Sequence, residues 1–113
     1  MHELSICQSL ISEIEDAGRR HAFARVTRVR LEIGRFAGVE IEALKFGFEV
    51  ARQSTLCADA ELEIISLPGE GYCFSCEKTV EIADRLDPCP ACGGGRIQAT
   101  GGDQLKIRDL EVV

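Results

Sequence analysis

The chain has 113 residues, 45% of them apolar and 28% charged, which is enough for one modest domain or a small domain plus a metal-closed module. Its 13 Lys and Arg against 19 Asp and Glu leave a net charge of −6, which counts against nucleic acid, a ligand that calls for a positive footprint. No stretch approaches the ~20 consecutive apolar residues of a membrane span.

The opening Met1-His2-Glu3-Leu4-Ser5 has neither the basic n-region nor the apolar h-region of a secretory signal. A cytoplasmic chain is the expectation, and there clustered cysteines bind metal more often than they pair as disulfides. From Leu4 to about Gly18, Leu4, Cys7, Leu10, Ile11, Ile14 and Ala17 recur at helical spacing, and Gly18 with Arg19, Arg20 and His21 suits a closing turn. In Arg25 to Ile33, Val29, Leu31 and Ile33 alternate with Arg28, Arg30 and Glu32, as in a half-buried strand with a charged outer face. Gly34 and Gly38 bracket a loop. A second helix is expected from about Glu40 to Gln53, with Ile41, Leu44, Phe48 and Ala51 inward.

Glu61 to Leu67 reads as a second strand, ended by Pro68-Gly69-Glu70-Gly71. A last strand, Gln104 to Val112, changes parity at Arg108-Asp109, which suggests a bend or bulge. The expected fold class is α+β: two helices on a three-stranded mixed sheet, with a zinc-ribbon-like module inserted before the last strand. The domains would be 1–67 plus 103–113 for the host and 68–102 for the insert, which needs no core of its own if a metal closes it.

Within the insert, Cys73-Phe74-Ser75-Cys76 and Cys89-Pro90-Ala91-Cys92 are two C-x-x-C knuckles. Two such turns aim four thiolates at one ion, a set that suits tetrahedral Zn²⁺. With four protein ligands the shell has no open position, so a structural role is expected and hydrolytic chemistry is not. Iron in the same cage would make an electron carrier, since Cys89-Pro90-Ala91-Cys92-Gly93 also resembles a rubredoxin knuckle; a thiol redox role is the other alternative. Cys7 falls on the inner stripe of the first helix as a small core residue, and Cys57 receives no function.

A bulky His2 should leave Met1 in place. The Met1 amine, the His2 amide nitrogen and a His2 ring nitrogen can then chelate one ion, and in-plane nitrogen donors suit Ni²⁺ or Cu²⁺. Glu3 and Glu40 could add oxygen. From the residues alone, His2 also reads as ordinary solvated chain. The chain lacks a G-x-x-x-x-G-K-[S/T] loop, a G-x-S-x-G elbow and an H-E-x-x-H helix, so no enzyme is expected.

Taken together, Met1-His2-Glu3-Leu4-Ser5, the strand Val26-Thr27-Arg28-Val29-Arg30-Leu31-Glu32-Ile33-Gly34, and the two knuckles followed by Gly101-Gly102-Asp103-Gln104-Leu105 resemble the HypA/HybF family over essentially the whole chain. These are nickel metallochaperones for [NiFe]-hydrogenase maturation. The resemblance implies that Met1 and His2 bind nickel with Glu3 beside them, and that Cys73, Cys76, Cys89 and Cys92 hold structural zinc. It implies as partners a HypB-type GTPase, the hydrogenase large-subunit precursor and, in some members, urease maturation proteins. Monomer and homodimer both stay open. An acidic residue near position 40 joins the nickel shell in some relatives as aspartate; here it is Glu40, one methylene longer. The module also lacks the knuckle-flanking histidines of some members.

Overall fold

The structure is a computed structural model and describes residues 3–113. Its elements are α1 (Glu3–His21), β1 (Val26–Gly34), α2 (Ile41–Ala51), β2 (Glu61–Leu67), β3 (Gly69–Cys73), β4 (Lys78–Ile82), β5 (Ile97–Gly101) and β6 (Leu105–Val112). They form two three-stranded sheets, ordered β2-β1-β6 and β4-β3-β5. The α+β class is as expected, with two helices, three host strands and an excursion between β2 and β6.

Two compact units result. The first takes the described residues up to Leu31 together with Val39–Ile64 and Ile107–Val113, and the second takes Glu32–Gly38 and Ile65–Lys106. The unit built around the cysteines thus takes in more chain than residues 68–102.

In the first unit, Cys7, Ile11 and Ile14 of α1 and Leu44 and Phe48 of α2 are buried with Val26, Val29 and Leu31 of β1. Of the other residues predicted to face inward, Leu10, Ala17, Ile41 and Ala51 are half-buried and Leu4 stays 41% exposed. The α1–α2 contact is close because Gly47 lacks a side chain: a Cβ there would stand 3.2 Å from Leu4 Cα and 3.4 Å from Cys7 Sγ. Helix α1 runs one turn past Gly18. That glycine is buried in the last turn against Leu56 and Phe23, and the left-handed closing residue is Ala22, at φ 58°. Phe23 N–H donates to Gly18 O at 3.2 Å, the bond that typically closes such an end. Glu3 in the first turn and Arg19, Arg20 and His21 in the last complement the helix dipole.

The outward arginines of β1 are neutralised by both neighbouring strands. Arg28 pairs with Glu61 at 3.1 Å and Glu63 at 2.9 Å on β2, and Arg30 with Asp109 at 2.8 Å and Glu111 at 2.5 Å on β6. Each exposed pair contributes only about 0–1 kcal/mol. Their effect is on recognition, because Arg28 and Arg30 carry no surplus positive charge for a polyanion.

In the second unit, β3 is central and antiparallel to β4 and β5, with Cys73 opposite both Lys78 and Ile97. This sheet was not expected from the sequence. Its side-chain core is small: Ile82 and Ile97 close over Gly71, where a Cβ would come within 3.0 Å of both. The chain enters and leaves the excursion past a glycine contact. A Cβ on Gly34 would lie 2.1 Å from Gly102 O, and one on Gly102, at φ 97°, would lie 2.7 Å from Gly69 Cα. Only glycine fits backbones this close.

Candidate metal centre

The four knuckle cysteines come together. Cys73 ends β3 and Cys76 follows in the turn, which Glu77, at φ 54°, reverses into β4. In the second knuckle Gly93, at φ 73°, makes the corresponding reversal, and Gly93 N–H donates to Cys89 O at 2.7 Å. Backbone amides turn toward sulfur in both: Cys76 N–H to Cys73 Sγ and Gly94 N–H to Cys92 Sγ, each at 3.4 Å. The two turns are joined to the sheet by Phe74 N–H donating to Arg96 O at 2.9 Å.

All four Sγ atoms lie within 4.8 Å of one another. Cys73 Sγ to Cys92 Sγ is 3.8 Å and Cys76 Sγ to Cys89 Sγ is 3.9 Å. A tetrahedral ion with metal–sulfur bonds of ~2.3 Å places its ligands about 3.8 Å apart, so these two edges already fit. The Cys92 and Ala91 backbone amides hold the Cys89 thiol down to about 7, in the direction of thiolate, whereas hydrogen bonding to Cys92 and burial push Cys76 up to about 12. Four sulfurs this close cannot all be anionic without a cation among them, because like charges disfavour one another's ionised form. The arrangement is a complete four-thiolate shell and offers no place for a substrate.

The other two cysteines are inert core. Cys7 is pushed up to about 11 by burial, with the Glu3 charge adding, and Cys57 to about 11 by burial and Glu15. Cys7 Sγ donates to Leu44 O at 3.3 Å.

Met1 and His2 lie outside the described residues. Their neighbour Glu3 opens α1, and its Oε2 accepts from the Glu40 backbone N–H at 3.2 Å, so the Glu3 carboxylate reaches the Glu40 main chain. Glu40 has a role that sequence reasoning missed: it is the N-cap of α2, its Oε2 accepting Ala43 N–H at 2.6 Å. The available signal was its place three residues before Ala43 at the start of an apolar-periodic run, but glutamate is not among the favoured capping residues. Glu40→Ala is expected to lower stability by about 1 kcal/mol in urea unfolding, and Glu40→Asn to recover most of that loss.

The family model described as hydrogenase/urease nickel incorporation, metallochaperone, hypA matches residues 1–112. The chain belongs to the HypA family. Hydrogenase maturation factor HypA of Paracoccus denitrificans is 54% identical, and that of Beijerinckia indica 55%, each over the whole of both chains. The solution structure of the Ni metallochaperone HypA from Helicobacter pylori matches with a TM-score of 0.71 at 26% identity, covering 100% of this chain and 98% of that one. A second HypA solution structure gives 0.73 at 26%, covering 100% and 97%. HypA proteins are metallochaperones and not enzymes, in keeping with the closed thiolate shell. This member acts in nickel handling for hydrogenase maturation, and none of its described helices is long and apolar enough to cross a membrane.

Proposed function

We propose that this chain binds Ni²⁺ at its amino terminus, through the Met1 amine, the His2 amide nitrogen and the His2 ring, and delivers it to the [NiFe]-hydrogenase large-subunit precursor in the cytoplasm. The family match through residues 1–112, on a chain that opens Met1-His2-Glu3, carries this reading. Glu3 stands beside the site and shapes it. Glu40, with one carboxylate oxygen engaged at the start of α2, acts through Glu3 and the helix cap and not as a ligand. A shallow set of nitrogen donors binds a divalent cation yet releases it, because protons compete for the amine and the imidazole.

The same proposal assigns Zn²⁺ to Cys73, Cys76, Cys89 and Cys92 as a structural ion that supplies the folding energy of residues 68–102, leaving 1–67 plus 103–113 as the nickel domain. A full shell, d¹⁰ indifference to geometry and S···S edges of 3.8 and 3.9 Å support that ion. A HypB-type GTPase supplies the nucleotide step, since this chain has no phosphate loop. Urease maturation proteins would be further recipients. Calorimetric nickel titration tests the assignment: the chain with a free Met1 amine, or with a C-terminal tag, should bind nickel, and one extended by Gly-Ser before Met1 should not. Equal affinity in the extended chain would overturn it.

A further inference from the structure

The ends of β1 and β4 each bring an arginine to one depression in the second unit. Arg35, Phe36, Ala83, Asp84 and Arg85 line a cavity of about 460 Å³. The two side chains are held crosswise. Arg35 Nε donates to Ala83 O, and Arg85 Nη2 donates to Phe36 O at 3.4 Å. The Arg85 guanidinium also sits over the Phe36 ring, 4.8 Å from its centroid. These tethers occupy few of the five N–H donors on each fork, and they restrict rotamers that an incoming ligand would otherwise have to order.

Arg19, Arg28, Arg30 and Arg52 all have carboxylate partners. Among the described residues, neither Arg35 nor Arg85 has a carboxylate oxygen within 4.0 Å. Asp84 lines the same cavity but is engaged with its own turn: its Oδ1 accepts Leu86 N–H at 3.2 Å, and its amide donates to Asp87 Oδ2 at 3.1 Å. Directly after Arg85, the Leu86 side chain stands almost wholly in solvent, at 92% exposure.

We propose that this cavity is a docking site for an acidic segment of a protein partner. Its carboxylates would take the Arg35 and Arg85 forks, and a neighbouring apolar side chain would cover Leu86. Two fixed guanidiniums match planar carboxylates through paired N–H···O bonds, which a point charge would not select. On a chain of net charge −6, two arginines lining one cavity without a carboxylate partner give an acidic segment a point of local charge complementarity. The site goes beyond the nickel reading and does not depend on it.

The test is NMR titration of the full metal-loaded chain at constant ionic strength, following the arginine Nε–Hε signals. The probes are the capped peptide acetyl-Glu-Leu-Glu-Glu-Leu-Glu-amide, glutarate and inorganic phosphate. The peptide should shift Arg35 and Arg85 saturably, with glutarate weaker at the same two signals. Arg35→Gln and Arg85→Gln should each weaken peptide binding about tenfold, the loss of one charge-assisted contact. Arg85→Lys, which keeps charge and disturbs the fold least, should weaken it nearly as much, and Leu86→Ser should weaken the peptide but not glutarate. Linear drift shared equally with Arg25 and Arg96, unchanged affinity in Arg85→Lys, or saturation by phosphate without saturation by the peptide would each overturn the proposal.

Discussion

Nickel binding is expected to vanish in His2→Ala while zinc content and fold remain unchanged. The imidazole is the one strong side-chain donor among the first three residues, and the site has few others to share the load. If loss of a supporting contact already costs ~10–100-fold in metal affinity, loss of the ring itself should exceed about 100-fold. The fold should not respond, because the core of the first unit is closed by Cys7, Ile11, Ile14, Leu31, Leu44 and Phe48. Calorimetry on untagged protein, with thermal unfolding of the same sample, separates the two effects. Wild-type affinity in His2→Ala would remove the N-terminal assignment outright. Wild-type nickel affinity should also fall as pH is lowered, because protons compete with the ion for the amine and the imidazole.

Cys73→Ser should be as severe in the other unit. Cys73 is wholly buried, it ends the central strand β3, and its sulfur accepts Cys76 N–H and stands 3.8 Å from Cys92 Sγ. Structural zinc in small modules contributes roughly 10–16 kcal/mol, whereas the apolar packing within this sheet is limited to side chains such as Ile82, Ile97 and the Tyr72–Phe74 pair. Removing one thiolate should therefore expel the metal and melt β3, β4 and β5 together. Metal analysis should fall from about one zinc per chain to almost none. Amide signals of residues 69–101 should collapse toward random-coil positions while those of Ile11, Ile14 and Leu44 stay dispersed. Retention of one zinc with a folded module would show the ligand set to be wrong.

Much of this was legible in the sequence, for reasons that can be named. Val29, Leu31 and Ile33 alternate without interruption, so β1 could be read directly, and β2 lies at Glu61–Leu67 as the sequence suggested. The knuckles were legible because two C-x-x-C turns are the spacing that brings four sulfurs together, as they are here. The module's sheet was not. Its strands are five residues long, its central strand β3 buries Gly69, Gly71 and Cys73 in place of the β-branched residues that mark a strand, and β5 ends in Gly101. The closing turn of α1, Gly18 to His21, was legible from its glycine and basic residues, but the packing role of Gly18 was not. Its lack of a side chain serves contact with Leu56 and Phe23, which is invisible without the tertiary partner. Glu40 hid for a related reason, since nothing local says that its carboxylate folds back onto Ala43 N–H.

The glycine contact at Gly34, Gly69 and Gly102 has a consequence for how this chain can be rebuilt. Pro68 and Gly102 bracket 33 residues yet lie side by side, with Pro68 O 2.8 Å from where a Gly102 Cβ would be. Loop closure across such a gap varies only slowly with the number of residues spanned, about 0.6 kcal/mol per doubling. The metal module is therefore a cassette: lengthening its exposed turns, or exchanging it whole for another fold with adjoining ends, should leave β6 in register with β1. Transplanted the other way, the stretch would have to take Arg35 and Phe36 with it, since Arg35 Nε donates to Ala83 O and the Arg85 guanidinium sits over the Phe36 ring.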